Sequence, residues 1–353
     1  MAKINSGNYH EEIKLKNIML LRELELGLPS FCTTYFRGIS EHIGTRTSIA
    51  YAYDLMVFFR YARDYIFKTD LPINEFKLNC LEEVTKFDIE NYMEYLSYYT
   101  AEDGSLHTND ERGKARKLSA LKSMFRYFYE SESIKENVVS LIHSPKIHEK
   151  NIIRLDPNEV ATLLDIVENG SDSESKHQSS YHEITKARDL CLLTLLLGTG
   201  MRVSECVGIN LEDINMDNGA IRIVRKGGNE STIYFGDEVE DALRSYLEAR
   251  KEIIAKEGSE NALFLSMQNR RISVRAVENL VKKYASQVTS LKKITPHKLR
   301  STYGTSLYRE TGDIYLVASV LGHKDVNTTK KHYASMDEEN KRQAANIVKL
   351  RKE

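Results

Sequence analysis

Residues 295–300 read TPHKLR and begin a stretch, ending at Tyr333, that decides how the rest of this chain is interpreted. Thr followed by Pro is typical of a helix start, because Thr can cap the helix and Pro needs no hydrogen-bond partner there. His297 and Arg300 are three residues apart, so they lie on one side of the predicted helix. The other side is apolar and is expected to face a core: Leu299, Tyr303 and Leu307.

Two glycines and the side chains beyond them complete this stretch. Gly312 and Gly322 are predicted helix ends, and His323 follows directly after the second. An arginine can grip two phosphate oxygens at once, and a histidine can donate or accept a proton near neutral pH. A tyrosine such as Tyr333 supplies an oxygen nucleophile that can hold a covalent intermediate. Together these groups suit a phosphodiester, whereas each one alone is more typical of an ordinary helical core.

The length and charge of the chain favour two domains without a general attraction for nucleic acid. A chain of 353 residues exceeds one typical core. Its 50 Lys and Arg residues are balanced by 51 Asp and Glu residues, and both halves of the chain are nearly neutral. Any affinity for DNA must therefore come from local basic patches.

The cysteines and the apolar runs exclude several classes of protein. The four cysteines show no CxxC spacing, so neither a disulfide framework nor a zinc site is expected. No signal peptide is apparent, and the longest apolar run, residues 190–197, is far too short to span a bilayer. We therefore expect a soluble, reduced, cytoplasmic protein that does not contact a membrane.

The first domain is predicted to be helical and to carry one basic helix. A less regular segment is expected at residues 29–43 and a polar loop at 100–113. The basic side chains of the last helix, which include Lys117 and Lys122, form either a solvated face or a surface that contacts phosphates. Helical periodicity is clear in four segments: residues 11–26, 45–66, 87–98 and 114–130.

The second domain follows a polar stretch at residues 143–150, which we interpret as a linker. A nearly all-apolar helix at 186–197 is preceded by a low-complexity loop at 169–180. Two β-branched runs, 220–224 and 231–235, predict a hairpin with Lys226 at its tip. The remaining segments predict helices: residues 157–167, 237–256, 273–284 and a polar final helix at 337–352.

Five motifs follow one another along the chain in this order: GTGMRVSE at 198–205, Lys226 on a hairpin, HKLR at 297–300, LGH at 321–323, and Tyr333. This order is more specific than any one of the motifs, and it resembles the tyrosine recombinase family, the phage-integrase and Xer class of site-specific DNA recombinases. The resemblance covers the whole second domain and extends to residues 116–122, which resemble a helix of the family's DNA core-binding domain.

The resemblance implies that Arg202 and Arg300 clamp the scissile phosphate. Glu205 matches a family position that supports the active-site arginine. The physical chemistry agrees, because the transition state is a crowded, anionic phosphorane that cationic side chains can neutralise. No metal ion is therefore expected in the site.

The resemblance also implies how the strand is cut. Lys226 is the general acid to the leaving 5′ oxygen, and His297 and His323 assist proton transfer and hold phosphate oxygens. Tyr333 attacks and forms a 3′-phosphotyrosyl link. Because this link retains the bond energy, no cofactor is expected, and the sequence contains neither a P-loop nor a metal-ligand cluster.

The implied architecture is mostly α and has two domains. An all-α, SAM-like core-binding domain at residues 1–142 is joined by a linker at 143–153 to an α+β catalytic domain at 154–353 with a small antiparallel sheet. The implied partner is double-stranded DNA with a specific recombination site. A homotetramer would hold two duplexes through a Holliday junction and exchange its C-terminal helix between protomers. The candidate DNA-binding residues are basic: Arg46, Lys117, Lys122 and Lys283.

The position of Tyr333 departs from the family pattern. It lies ten residues after His323, where about nine are expected, and the ninth is His332. Three nearby tyrosines are alternative nucleophiles: Tyr303, Tyr308 and Tyr315. Three other functions therefore stay open, namely a type IB topoisomerase-like enzyme, a catalytically decayed DNA-binding regulator and a helical interaction protein without affinity for DNA.

Overall fold

The chain divides into two compact units, Met1–Lys150 and Asn151–Glu353. The structure is a computed structural model. Residues 143–148, within the predicted linker, have no regular secondary structure. In the described part of the chain, no helix combines the length and the apolar character needed to cross a membrane. The structure describes these ranges, with the backbone alone at 176–180: residues 9–101, 103–148, 153–170, 176–225, 228–323 and 325–326.

The first unit is mostly helical and contains one small hairpin. The antiparallel strands β1 (Tyr98–Thr100) and β2 (Leu106–Thr108) form that hairpin. A π-helical turn, Ala62–Phe67, continues the third helix, and 3₁₀ turns lie at Ile73–Glu75 and Val138–Leu141. The α-helices are α1 (Tyr9–Leu26), α2 (Ser30–Ile39), α3 (Thr45–Tyr61), α4 (Cys80–Glu83), α5 (Lys86–Tyr95) and α6 (Glu111–Glu130).

Aromatic side chains hold the core of the first unit together. The Phe31 ring of α2 packs edge-to-face against Phe59 of α3, with 5.9 Å between the ring centroids. It packs in the same way against Phe128 of α6, at 5.5 Å. Such aromatic pairs add about 0.5–1.5 kcal/mol beyond the burial of their surface. One ring therefore fixes three helices against each other.

Two predictions for the first unit are wrong. The segment at 29–43, expected to be irregular, contains α2. The polar loop expected at 100–113 contains part of the β1–β2 hairpin, where Gly104 at φ +78° lets the chain reverse. The buried residues of α2 recur at helical spacing and would have supported a helix: Phe31, Cys32, Tyr35, Phe36 and Ile39.

A buried carboxylate joins α3 to α6. The Asp54 side chain is 2% exposed, and its Oδ2 accepts a hydrogen bond from Arg116 Nη1 at 2.5 Å. Its Oδ1 lies 3.6 Å from Lys117 Nζ, which also donates to Asn109 Oδ1 at 2.9 Å. Burial raises the pKa of Asp54 and lowers the pKa of Lys117. Each charge therefore depends on the other for compensation.

The second unit is a set of helices with a three-stranded antiparallel sheet in the order β3-β4-β5. The strands are β3 (Ile214–Asn215), β4 (Ala220–Val224) and β5 (Glu230–Tyr234), and a 3₁₀ turn lies at Leu211–Asp213. The helices are α7 (Pro157–Asn169), α8 (Lys176–Thr199), α9 (Val203–Gly208), α10 (Asp237–Lys251), α11 (Val274–Val288), α12 (Pro296–Thr311) and α13 (Ile314–Leu321).

Helix α8 lies at the centre of the second unit, where it packs against α7, α10 and α12. Its second half is buried, as the apolar run predicts. The prediction of a low-complexity loop at 169–180 is wrong for residues 176–180, because these residues belong to α8. Polar residues such as His182 and Thr185 are buried in this first half, so an apolar pattern alone does not detect it.

The hairpin of the second unit follows the sequence closely, whereas the helix predicted at 237–256 ends at Lys251. The predicted hairpin is confirmed, with Ala220 opposite Tyr234, whereas the short strand β3 was not expected. Thr295 precedes α12 as predicted, but its side chain makes no capping hydrogen bond. The final helix predicted at 337–352 lies outside the described residues.

Replacing Asp54 by Ala should strongly destabilise the first unit. The change leaves Lys117 buried without its counter-ion, and breaking a buried pair from one side costs about 3–5 kcal/mol of the free energy of unfolding. The matched control is Asp64→Ala, because Asp64 pairs with Arg63 at the surface, where about 0–1 kcal/mol is expected. Urea unfolding of the full chain, followed by circular dichroism, measures both losses. Equal losses would contradict the importance of the buried pair.

Candidate active site

The turn that ends α8 carries the first motif, and its shape requires glycine. Gly200 has φ +62°, and a Cβ there would collide with the Tyr303 ring and lie 3.0 Å from Leu321 Cδ2. The Thr199 hydroxyl donates to the Leu195 carbonyl oxygen at 2.6 Å, inside the last turn of the helix. The chain therefore leaves α8 close to α12 and α13, and Arg202 follows two residues later.

Arg202 stands immediately before α9 and is held by Glu205. Its backbone N–H donates to Glu205 Oε2 at 2.8 Å, and its Nη1 donates to Oε1 at 2.8 Å. The Glu205 side chain is 4% exposed, whereas the Arg202 side chain is 37% exposed. The Nη2 of Arg202 lies 3.5 Å from the Gly322 carbonyl oxygen. A buried carboxylate thus orients a guanidinium that solvent can still reach.

Arg300 lies in the interior, where it joins two turns. The residue is 6% exposed. Its Nη1 donates to the Gly200 carbonyl oxygen at 2.7 Å, and its Nη2 donates to the Leu321 carbonyl oxygen. Both acceptors lie at helix C-termini, where backbone carbonyl groups lack partners within the helix. His297 is on the same helix, one turn earlier, and is exposed.

A glycine turn ends α13 and fixes the backbone of His323. Gly322 has φ +61°, and its N–H donates to the Ser319 carbonyl oxygen at 2.9 Å. The N–H of His323 donates to the Ala318 carbonyl oxygen at 2.9 Å. These two bonds form a Schellman motif, in which the residue after a left-handed glycine folds back over the helix. The cap therefore places His323 directly after the carbonyl groups that the two arginines bind.

Four of the six predicted catalytic residues are described, and three of them meet at one turn. Arg300 bonds to the carbonyl group of Leu321, Arg202 bonds to that of Gly322, and His323 is the next residue. The two guanidinium groups therefore bind consecutive carbonyl groups. Lys226 and Tyr333 lie outside the described residues, so their places in the site stay predictions.

The hairpin contributes a residue that the motif analysis does not assign. Arg225 directly follows β4, and its guanidinium lies against the Cα of Gly322, in the space that a Cβ would occupy. The sequence indicates a role for Arg225 only through its place beside Lys226, because neighbouring residues at the end of one hairpin lie close to the same site. A contact between the hairpin and the α13 turn cannot be recognised from spacing alone.

The three tyrosines considered as alternative nucleophiles differ in exposure. Tyr308 is buried and packs against Val317 and Leu321. Tyr303 packs against the α8 turn, and burial raises its pKa, which disfavours the phenolate. Tyr315 is 71% exposed. Of these three, Tyr315 is therefore the only one accessible to a large substrate.

The predicted DNA-binding residues occupy different environments. Arg46 is exposed in the first turn of α3, Lys122 is half-buried on α6, and Lys283 is exposed on α11. Lys117 is buried beside Asp54, because that carboxylate needs a counter-ion in the core. This position conflicts with the prediction that Lys117 contacts DNA. Its neighbour Arg116, which shares the same carboxylate, is half-exposed.

The expectation of a reaction without a metal ion or cofactor stays a prediction. Across the described ranges, no three His, Cys, Asp or Glu side chains are grouped closely enough to hold an ion. The four cysteines are buried and form no disulfides: Cys32, Cys80, Cys191 and Cys206. Burial raises the pKa of each thiol, which keeps the thiols protonated and unreactive.

Comparison with known families matches residues 153–340 to the phage integrase family. The matched segment is more than half of the chain and contains all six predicted catalytic residues. The chain belongs to the phage integrase family. It is thus a tyrosine recombinase by sequence, which confirms the resemblance drawn from the order of its motifs.

Two curated relatives show how far this phage integrase likeness extends. Tyrosine recombinase XerC of Caldanaerobacter subterraneus is 33% identical over 311 residues, which cover 86% of this chain and 82% of that protein. Tyrosine recombinase XerS of Streptococcus agalactiae is 29% identical over 352 residues, covering 94% of this chain and 98% of that protein. The likeness therefore includes the first unit as well as the matched segment.

Solved structures of a site-specific recombinase and of an integrase share the fold. The XerH recombinase bound to a palindromic difH substrate gives a TM-score of 0.63 at 20% identity, covering 86% of this chain and 79% of that chain. A lambda integrase dimer bound to a core site gives a TM-score of 0.60 at 19% identity, and the match covers 86% of this chain and 94% of that chain. These likenesses confirm the predicted fold class, which is mostly α with a small antiparallel sheet.

Replacing Gly200 by Ala should destabilise the second unit more than the same change at Gly258. Both glycines have positive φ, +62° and +81°, so each alanine meets about 1–2 kcal/mol of backbone strain. Only the Gly200 methyl must displace packed side chains, Tyr303 and Leu321, which adds about 1–3 kcal/mol. The space around Gly258 is open. Thermal unfolding measures the difference, and equal midpoints would show that the α8 turn is not tightly packed.

Proposed function

We propose that this chain is a site-specific DNA recombinase that cuts and rejoins strands through a 3′-phosphotyrosyl intermediate and a Holliday junction. The observation that carries the proposal is the α13 turn, to which Arg202 and Arg300 both bond. The relatives support it, because XerC and XerS are named tyrosine recombinases and the XerH structure is described as a post-cleavage complex. These names favour strand exchange over the topoisomerase, regulator and interaction-protein alternatives.

The two arginines are proposed to form the phosphate site. A guanidinium presents parallel N–H donors that match two oxygens of one phosphate. In the free protein, Arg202 and Arg300 donate to backbone carbonyl groups. When DNA binds, the two guanidinium groups are proposed to donate to the non-bridging oxygens of the scissile phosphate. Charge that develops in the phosphorane is then stabilised by cations already in place, which is the largest contribution in many enzymes.

The remaining predicted residues are proposed to move the protons and form the covalent bond. The Tyr333 oxygen attacks phosphorus, forms a 3′-phosphotyrosyl bond and expels the 5′ oxygen. Lys226 gives that oxygen its proton, and His297 or His323 accepts the proton of the tyrosine. Attack by a 5′ hydroxyl of another strand reverses these steps. Since one phosphoester bond replaces another throughout, no external energy source is required.

We further propose that α3 and α6 present a DNA-binding face within a core-binding domain at residues 1–142, ahead of a catalytic domain at 154–353. Arg46 is exposed on α3, and α6 carries several basic residues on the face that is not buried. The chain has a net charge of −1, so this local patch rather than the field of the whole protein attracts the phosphates. The basic residues of that face of α6 are Arg112, Arg116, Lys122 and Arg126.

The assembly is proposed to be a homotetramer on two duplexes of a specific recombination site. The predicted helix at 337–352 is polar with a thin apolar stripe, so it suits docking on a neighbouring protomer rather than forming a core of its own. We propose that this helix is exchanged between protomers. The cytoplasmic location expected from the sequence stays a prediction.

Covalent trapping tests the reaction and its nucleophile. The protein is incubated with a duplex that carries the DNA flanking its own gene and is nicked near the candidate site. After cleavage, the short fragment beside the nick diffuses away, so the covalent adduct accumulates. We expect a protein–DNA adduct for the wild type and none for Tyr333→Phe, because the phenol oxygen forms the bond. The matched control is His332→Ala, which should still form the adduct.

Other results of the trapping experiment separate the alternatives. An adduct that persists in Tyr333→Phe moves the nucleophile to another tyrosine, with Tyr315 tested next because it is exposed. If wild-type protein binds DNA without forming an adduct, a library of random sites is tried. Failure on the library would exclude the proposed cleavage and favour the decayed regulator.

Replacing Arg46 or Lys122 by Ala should weaken the binding of DNA to a similar extent whatever the DNA sequence. A residue that contacts phosphate contributes one released counter-ion, so the slope of log K against log salt should fall in magnitude by roughly 1 for each change. Fluorescence anisotropy between about 50 mM and about 200 mM salt measures the slope. The control is Lys86→Ala, since Lys86 pairs with Glu90 on α5. Identical slopes in all four proteins would place the DNA on another face.

A further inference from the structure

Arg225 is held in a defined place at the end of the hairpin. Its N–H donates to the Asn229 carbonyl oxygen at 2.8 Å, and its own carbonyl oxygen accepts from the Gly228 N–H at 3.0 Å. The guanidinium lies against the Cα of Gly322. Because Gly322 has no side chain, the cation lies directly on the backbone of the turn that ends α13.

One nitrogen of the Arg225 guanidinium lacks an acceptor in the described part of the chain. Its Nε is buried and has no hydrogen-bond partner among the residues that the structure describes. Buried donors without a partner are rare in folded proteins, because the lost hydration is not replaced. An oxygen atom of a bound anion would supply the missing acceptor.

The surroundings of Arg225 favour an anion. Gly322, which Arg225 contacts, is the residue whose carbonyl oxygen lies 3.5 Å from Arg202 Nη2. The preceding carbonyl group, that of Leu321, accepts a hydrogen bond from Arg300. Three guanidinium groups therefore contact two consecutive residues, and the buried carboxylate of Glu205 is paired with Arg202. Cations gathered at one point bind a phosphate more strongly than any of them alone.

We propose that Arg225 is a third phosphate-binding arginine of the cleavage site and contacts the scissile phosphate with Nε and one Nη. The proposal rests on the proposed function for the identity of its substrate. A lysine at this position would keep the charge but lose the two parallel donors. The alternative is that Arg225 only anchors the hairpin on Gly322 and thereby positions Lys226.

The first experiment measures anion binding without DNA. Inorganic phosphate is titrated into the full chain by calorimetry, with sodium chloride of equal ionic strength as the reference. We expect Arg225→Gln to raise the dissociation constant for phosphate at least about tenfold, as loss of a charge-assisted hydrogen bond implies. The matched control is Arg222→Gln, because Arg222 lies on β4, the strand that Arg225 follows, and pairs with Asp213 at the surface. Unchanged phosphate binding in Arg225→Gln overturns the proposal.

The second experiment separates phosphate binding from positioning. Adduct formation is timed on nicked substrates that carry either a normal phosphate or a neutral methylphosphonate at the scissile position. Loss of one such donor slows cleavage by about 100-fold in comparable sites, so Arg225→Gln should be slowed to that degree on the phosphate. It should be slowed little on the methylphosphonate, where the charge is absent. Arg225→Lys should show an intermediate rate on the phosphate.

Each result of the second experiment has one meaning. Equal slowing on both substrates would show that Arg225 only positions the hairpin, and equal rates for the wild type and Arg225→Gln would show that it does neither. Gly322→Ala should reproduce the loss on phosphate, since a methyl group displaces the Arg225 guanidinium, whereas Gly312→Ala has open space and should not. If the wild type forms no adduct on any site of the random library, the proposed function fails, while the phosphate titration still tests Arg225.

Discussion

The buried guanidinium of Arg300 is the interaction on which the site in the second unit depends. It comes from α12 and bonds to the end of α8 at Gly200 and to the end of α13 at Leu321. A buried cation must have its donors satisfied, and helix ends are where the backbone offers free acceptors. One side chain therefore joins two turns, and those turns carry Arg202 and His323.

The two units use the same physical device to present a basic side chain. In the first unit, buried Asp54 bonds to half-exposed Arg116. In the second, buried Glu205 bonds to partly exposed Arg202. In both pairs the carboxylate lies in the interior and holds one edge of a guanidinium, so the other edge faces outward in a defined direction. Such a cation loses little conformational entropy when it meets a phosphate.

The sequence predicts local features of the chain better than it predicts contacts between distant segments, and the reason is physical. The positions of Arg202, Arg300 and His323 depend on local features, namely helical spacing and glycines that allow left-handed turns, and these are visible in a single sequence. The burial of Lys117 depends on Asp54, which is 63 residues away in the chain. The contact of Arg225 with Gly322 likewise joins two distant segments. Spacing contains no information about such pairs.

The end of α13 is also the negative pole of a helix dipole, equivalent to about half an elementary charge. Arg202 and Arg300 rest on that pole in the free protein. A phosphate carries more charge than the pole, so it can recruit the same cations with little movement and little reorganisation of solvent. The same negative pole repels an anion that approaches along α13. In the proposed reaction, the phosphate would therefore approach the guanidinium groups from the side away from the helix, which gives the site a direction as well as a charge.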